Sequence, residues 1–419
     1  MDYLTTIKHP STHYAKDTIM QRVSLFGYAK TTKALAKCFN RVTFYDDKCH
    51  KPFRDEDGYK IKPSSEFDAR YSDLEITSPG ISPSHPLIKS ANNLISEYDY
   101  FQGTKPLKIW ISGTNGKTTT TQMTEYILKP YGAISGGNIG TPLAELDTTK
   151  PIWLLETSSF TMHYNTIASP NIYALLPITP DHISWHGSID EYEKAKLKPL
   201  LSMREGEIAI IPAKYRDFKT FASTIYYENS DDLARYFGFD ISKIRYKGAF
   251  LLDAIIAMSF EKILYDKIDY DKINSFTLDP HRQEELFDFK NRLWVNDSKA
   301  TNIDATLVAV DRYSDRFIHL ILGGDDKGVD MEPLFKELQS YRLSIYSVGA
   351  NSDKLSDLAL KYGIKNIKCD TLANAIGSID SVLSNDEIAL LSPAAASLDQ
   401  FKSYQERGDL FKSIIKSLT

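Results

Sequence analysis

A chain of 419 residues, 42% hydrophobic and 25% charged, has the composition of a soluble globular protein and exceeds what one hydrophobic core usually supports. Fifty basic against 55 acidic residues give a formal charge of −5, and no basic run offers a nucleic-acid footprint. No stretch approaches the roughly 18 apolar residues of a membrane span and the start has no apolar signal core, so a cytoplasmic protein without membrane insertion is expected.

The chain opens with a polar extension over residues 1–20. "RVSLFGYAKTTKALAKCFNRVTFYDD" then reads strand, tight turn, helix, strand. The clearest later strands lie near 107–112, 151–156, 171–176, 207–211, 292–296, 317–322, 343–348 and 387–391. Short apolar runs separated by helix-length segments predict parallel sheets of α/β type. Gly/Pro punctuation in "DYFQGTKP" (99–106) and "FTLDPHRQ" (276–283) divides the chain into 1–103, 104–278 and 279–419. The three cysteines, Cys38, Cys49 and Cys369, have neither metal nor redox spacing and read as reduced thiols.

In open α/β sheets ligands gather beyond the carboxyl ends of the strands. Polar and glycine-rich clusters stand at those places one after another, at 113–118, 156–159, 179–182, 296–302, 323–328 and 392–398. The first is "WISGTNGKTTTTQM". The strict phosphate-loop pattern needs glycine at position 111, where Ile111 stands instead, and the glycine comes two residues later at Gly113. An apolar strand precedes the loop and a helical stretch follows it. The backbone N–H groups of Gly113, Thr114, Asn115 and Gly116 and the helix start at Thr119 would therefore face phosphate oxygens. Lys117 supplies a point charge for the terminal phosphates, and Thr118 a hydroxyl for Mg²⁺.

"GTNGKTTT" is the form this loop takes in the Mur ligase family, and the resemblance extends in the family's order through "GGNIGTPL", "LETSSFTM", "ITPDHISWHG", "PHRQE", "VNDSKATNIDA", "LILGGDDKGVD" and "LLSPAAASLDQFKSYQERGDLF". The last three segments are similar to the branch that adds D-glutamate. The resemblance implies three α/β domains: a Rossmann-like N-terminal domain, a P-loop central ATPase domain with a parallel sheet, and a Rossmann-like C-terminal domain. It also implies ATP-dependent addition of D-glutamate to UDP-N-acetylmuramoyl-L-alanine through an acyl phosphate, with two Mg²⁺ ions, in a monomer.

Site residues follow by resemblance and by chemistry. Glu156 ends a strand where a carboxylate can hold Mg²⁺ against phosphates. His182 resembles a ligand of the second Mg²⁺, and Asn138 a contact to the reacting end of the sugar nucleotide; His163 and His186 read as structural. Arg282 resembles an arginine on the ATP phosphates, Asp297 a ribose contact, and Asp253 stands near the family's adenine asparagine. Lys299, Thr301, Lys327, Ser397, Leu398 and Tyr404 resemble the D-glutamate pocket. "SLDQF" is expected to open a helix whose N-terminus favours an anion. The third domain must then approach the ATP-bearing one, with a hinge at 278–282.

The first-domain turn departs from the family. Gly27 remains, while Leu25 and Lys30 occupy positions that are often glycine. Lys30 on the diphosphate, Asp46 or Asp47 on uridine, and Ser78, Gly80 and Ser158 are the candidates for the sugar nucleotide; a plain βα turn with a solvated lysine reads nearly as well. In "GSIDEYEKAKLKPLL", Ser188 and Glu191 form a capping box that starts a helix near 189. At 100° per residue Ile189, Tyr192, Lys196 and Leu200 share a stripe, with Lys194 and Lys198 on the other side. A buried ammonium is costly and has no lone pair for a metal. In the family the matching lysine is carbamylated, which implies a carbamate at Lys196 beside His182. A folylpolyglutamate-type ligase, or a nucleotide sensor without catalysis, fits fewer of these motifs.

Overall fold

The computed structural model describes residues 21–138 and 140–418; the polar extension over 1–20 lies outside the described residues. Among them the strands form three six-stranded sheets. The first contains β1 (Val23–Phe26), β2 (Val42–Asp46), β3 (Phe53–Arg54), β4 (Lys60–Pro63), β5 (Leu74–Thr77) and β6 (Leu94–Ile95), in the order β3-β4-β2-β1-β5-β6. The second contains β7 (Leu107–Ser112), β8 (Ala133–Gly137), β9 (Ile152–Glu156), β10 (Ile172–Leu175), β11 (Ile208–Pro212) and β12 (Ser223–Tyr227), ordered β12-β11-β10-β7-β9-β8. The third contains β13 (Glu284–Phe287), β14 (Leu293–Asn296), β15 (Ile318–Gly323), β16 (Leu343–Val348), β17 (Asn366–Asp370) and β18 (Ile388–Leu391), ordered β13-β14-β18-β15-β16-β17.

The pairs β3–β4 and β13–β14 are antiparallel, and the other neighbours run parallel. Burial on both faces explains the continuous apolar runs. All six residues of β7 are buried, although Lys108 among them is charged. Its ammonium bonds the carbonyls of Gln102 and Thr104, and burial pulls its pKa down to about 8. In the third sheet Val295, Leu320 and Leu390 face one cluster, while Trp294, Ile321 and Leu391 face the other. Helices therefore cover both sides, as in a doubly wound sheet.

The chain forms two compact units. One runs to Tyr246 and adds Phe250–Phe276; it holds the first two sheets. The other is Thr277–Thr419 with Lys247–Ala249, and it holds the third. A single apolar cluster runs through the first unit, from Val23, Leu25 and Phe44 to Trp110, Trp153 and Tyr173. Tyr98 and Phe101 belong to it, with Tyr98 edge-on to Trp110 and Phe101 against Trp153 at ring separations of 5.0 and 6.2 Å. Each such buried ring stabilises by roughly 1.5–3 kcal/mol. "DYFQGTKP" thus begins inside the short helix Glu97–Tyr100 and only then becomes a loop.

One expected helix is absent. Residues 397–401 make a turn, with the N–H groups of Gln400 and Phe401 bonded to the Ser397 carbonyl. The last helix is Tyr404–Ser417. Ser403 caps it by accepting from the Glu406 N–H at 3.2 Å, while the Glu406 carboxylate takes the Lys402 N–H at 2.6 Å. This local capping decides the start, so no helix dipole points from Ser397.

Candidate active site

The phosphate loop leaves β7 and turns into the helix Lys117–Leu128, with Gly116 as its N-cap. Gly116 has φ +81°, and a Cβ there would lie 2.5 Å from Oδ1 of Asp253. Only glycine fits both conditions. Asp253 is buried in the helix Ala249–Tyr265 and accepts from the Thr120 hydroxyl at 2.8 Å. It therefore lies directly against the loop and the first turn of the loop's helix.

Two lysine amino groups meet at one carbonyl. Lys117 Nζ donates to the carbonyls of Gly113 (2.9 Å) and Thr114 (2.7 Å), and Lys196 Nζ donates to Gly113 at 2.6 Å. Lys196 lies on the helix Ile189–Ser202, whose cap Ser188 accepts from the Glu191 N–H as the sequence predicts. Lys196 is 1% exposed, beside the Tyr192 ring, whose hydroxyl bonds Thr114 Oγ1 at 2.9 Å. Burial, and then the charge of Lys117, hold its pKa well below the usual lysine value. Lys194 is exposed and pairs with Glu191. Lys198 departs from the expected solvent side: it is half-buried and donates to the His163 carbonyl at 2.7 Å. The helix packs closely on the helix Ser159–Tyr164, so that flank is covered as well.

Glu156 ends β9 and is 2% exposed. Its Oε1 accepts from Asn138 Nδ2 at 2.6 Å, while Oε2 is buried without a hydrogen-bond partner. A buried orphaned carboxylate oxygen is the kind of atom a cation satisfies. Among the described residues no three of His, Cys, Asp and Glu gather around one point. The residues present therefore fit Mg²⁺, which binds through one or two carboxylates plus phosphate oxygens, better than a metal caged by protein ligands alone.

His182 follows β10 and stands at φ +52°, as the residue before the helix Ile183–His186. Its imidazole is half-exposed, 4.7 Å from the Phe160 ring, with Asp181 at 3.5 Å. His186 bonds Ser159 through Nε2 at 3.0 Å, and burial pushes its pKa down to about 4. It is therefore a neutral, packed imidazole. Ser158 caps the helix Ser159–Tyr164, accepting from the Thr161 N–H at 3.1 Å.

At the carboxyl edge of the first sheet the sugar-nucleotide candidates converge. The Gly27 N–H bonds Tyr45, the Ser78 N–H bonds Phe26, and Asp46 accepts from the Tyr28 and Lys48 N–H groups. His85 sits 2.9 Å from Asp47, whose pKa is lowered by hydrogen bonds from Ser64 and His85. Lys30 donates to the Gly140 carbonyl of the Asn138 loop, and Trp185 Nε1 to the Gly80 carbonyl at 3.4 Å. These contacts tie the helix start after the Gly27 turn to the loop beyond β8, and the segment after β5 to the helix Ile183–His186.

In the second unit Asp297 is buried, and that burial raises its pKa to about 7. It accepts from the Ser392 hydroxyl at 2.9 Å and the Gln283 N–H at 3.2 Å. Arg282 carries a buried Nε without a hydrogen-bond partner. Lys299 reaches the Tyr404 hydroxyl at 3.2 Å. The Lys327 loop pairs with the Ser397 loop through reciprocal Asp325 and Ala396 bonds. Ser397 is buried and Leu398 exposed; Thr301 is half-buried.

Arg407 was not singled out by the sequence reading. It is 2% exposed and donates to the Ser298 hydroxyl and carbonyl and to the Ala395 carbonyl, clasping the two loops together. Burial pulls its pKa down to about 10. The signal was present: Arg407, Phe411 and Ile415 recur at i, i+4 and i+8 on the buried stripe of their helix.

Comparison with known proteins gives a consistent picture. The Mur ligase middle domain matches residues 111–250. A UDP-N-acetylmuramoylalanine–D-glutamate ligase of Campylobacter jejuni is 50% identical over 401 residues, spanning 95% of this chain and 100% of that relative. The protein of that name from Helicobacter pylori is 44% identical over 418 residues, 94% and 99% of the two chains. Among solved structures, the MurF ligase from Thermotoga maritima in complex with ADP is similar with a TM-score of 0.59 at 14% identity, covering 100% of this chain and 98% of that one. At that identity the likeness bears on the fold.

Proposed function

We propose one reaction for this chain from the premise that it belongs to the Mur ligase family, among its UDP-N-acetylmuramoylalanine–D-glutamate ligases. It joins D-glutamate to UDP-N-acetylmuramoyl-L-alanine at the expense of ATP, in peptidoglycan precursor synthesis. The observation that carries this is the likeness along nearly the whole chain to relatives bearing that one name. The test is phosphate release with ATP, Mg²⁺ and the sugar nucleotide, offering D-glutamate, L-glutamate, L-alanine and a diamino acid in turn. Release with D-glutamate alone is expected. Release with none would support a nucleotide sensor instead.

In this reading the substrate carboxylate attacks the γ-phosphate, and the amine of D-glutamate then displaces phosphate from the acyl phosphate. Anionic groups crowd one place, so fixed N–H dipoles and cations must dominate it. The N–H groups of residues 113–116 and the start of the helix Lys117–Leu128, up to Thr119, receive the phosphates. Lys117 turns from the loop carbonyls towards the terminal phosphate. Asn138 holds Oε1 of Glu156 and faces the reacting carboxylate. Glu156, the Thr118 hydroxyl, His182 and a carbamate on Lys196 would hold Mg²⁺, which supplies charge neutralisation for the transferring phosphoryl group. Arg282 meets the phosphates through its unsatisfied Nε, Asp297 the ribose, and Asp253 supports the loop on the adenine side.

The sugar nucleotide takes the first-sheet edge: Gly27, Lys30, Asp46, Asp47, Ser78 and Gly80, with Ser158 nearby. D-Glutamate takes Lys299, Thr301, Lys327, the 397–398 backbone and Tyr404. Domain limits of 1–103, 104–278 and 279–419, a monomer and a cytoplasmic location belong to the same proposal; among the described residues no helix is long and apolar enough to cross a membrane. Lys327→Ala removes a cation for a dicarboxylate, so KM for D-glutamate should rise about tenfold or more. KM for ATP should stay where it is. Equal rises in both would place Lys327 outside the amino-acid pocket.

A further inference from the structure

The short helix Glu97–Tyr100 sends three consecutive side chains to the end of β9 and to two loops of the second sheet. All three residues are buried. The Glu97 carboxyl faces the Ala144 N–H at 3.4 Å, beyond the Asn138 loop. Asp99 collects the N–H groups of Thr166, Ile167 and Ala168 at 3.0, 2.7 and 2.9 Å. Between them the Tyr98 hydroxyl donates to the backbone carbonyl of Glu156 at 3.0 Å.

That carbonyl is doubly held, because the Asn138 N–H also donates to it at 2.9 Å. Gly137 opens the space. It stands at φ +83°, and a Cβ there would collide with the Tyr98 hydroxyl and lie 2.6 Å from the Glu156 carbonyl oxygen. The Tyr98 ring itself packs edge-on against Trp110 in the shared apolar cluster, a place where phenylalanine would serve equally well. A phenol hydroxyl taken into such surroundings is costly unless it is bonded, and its bond here is to Glu156. The peptide of Glu156 is thus fixed from two sides, and from it hangs the carboxylate whose Oε2 is buried without a partner.

We propose that Tyr98 is a positioning residue for Glu156: its hydroxyl, held in place by the neighbouring anchors Glu97 and Asp99, fixes the peptide that aims the carboxylate. This rests on the reading of Glu156 as a metal ligand. Tyr98→Phe keeps the ring and removes only the hydroxyl, so the fold persists, checked by its melting temperature. Mn²⁺ binding is measured by electron paramagnetic resonance in the presence of a non-hydrolysable ATP analogue, for the wild type, Tyr98→Phe and Glu156→Gln. Amide hydrogen exchange at Asn138 is followed in parallel.

In Tyr98→Phe the Mn²⁺ dissociation constant should rise about tenfold, as on losing an outer partner of a metal ligand. The Asn138 amide should exchange faster, and KM for D-glutamate should not move. Should Glu156→Gln weaken Mn²⁺ while Tyr98→Phe binds it like the wild type, the positioning role is wrong and the metal reading stands. Should Glu156→Gln bind Mn²⁺ unchanged, the metal reading itself fails and the proposal falls with it. A Tyr98→Phe protein that only melts earlier, with Mn²⁺ affinity and exchange unaltered, would make the hydroxyl a matter of stability alone.

Discussion

Lys196→Ala should lose D-glutamate-dependent phosphate release by about 10³-fold, the scale on which removing one fixed stabilising group costs an enzyme. Lys194→Ala should keep its activity. The contrast follows from position: Lys194 is an exposed partner of Glu191, whereas Lys196 is buried against the phosphate loop. Burial there depresses its pKa, so the folded protein gives up the Lys196 proton at a lower pH than the unfolded chain does. By linkage the unfolded state binds the extra proton between the depressed and the usual lysine pKa. Stability in that window therefore falls as the pH falls, and at neutral pH the lysine costs stability. Lys196→Met should then melt no earlier than the wild type while being inactive, which separates chemistry from folding.

The neutral amine is also the form that adds CO₂, forming an N–C bond and releasing a proton. Enzyme equilibrated with ¹³C-labelled bicarbonate should show a carbamate carbon that Lys196→Met lacks, and acetate should partly restore Lys196→Ala. An active Lys196→Met would end this account.

Lys117→Ala is the second large effect, with kcat lower by about 10²–10³-fold. Lys117 folds over its own loop onto the Gly113 and Thr114 carbonyls, the loop whose N–H groups would receive the phosphates. ADP affinity should fall far less than kcat if the ammonium acts on the terminal phosphate. A parallel fall in both would place it on the inner phosphates, and an unchanged kcat would remove it from the reaction. The substitution also removes a positive neighbour of Lys196, so the Lys196 pKa should rise in the variant.

The strands were legible wherever a run is buried on both faces. β7 and β16 were expected at 107–112 and 343–348, and they stand at Leu107–Ser112 and Leu343–Val348. β8 was hidden because "AISGG" carries two glycines, and β13 because its edge position alternates half-buried with exposed residues. Lys196 was legible from the helical stripe and a capping box. Asp253 and Tyr98 were not legible as neighbours of Thr120 and Glu156, since those contacts span 133 and 58 residues of sequence. The false helix at Ser397 shows the limit of local signals: Ser397 has Gln400 and Ser403 has Glu406 three positions on, and the structure starts its helix at the second, where Ser403 accepts from the Glu406 N–H.

The apolar cluster shared by the first two sheets has a consequence for ligand design. The Gly27 turn and the phosphate loop belong to one compact unit, and Lys30 already bridges to the Gly140 carbonyl. A single molecule spanning both ends would meet a preorganised span. The affinities of its two halves would combine without the entropic loss of docking one domain onto another. Its connecting arm should accordingly be short and stiff, cut to the fixed distance between the two edges.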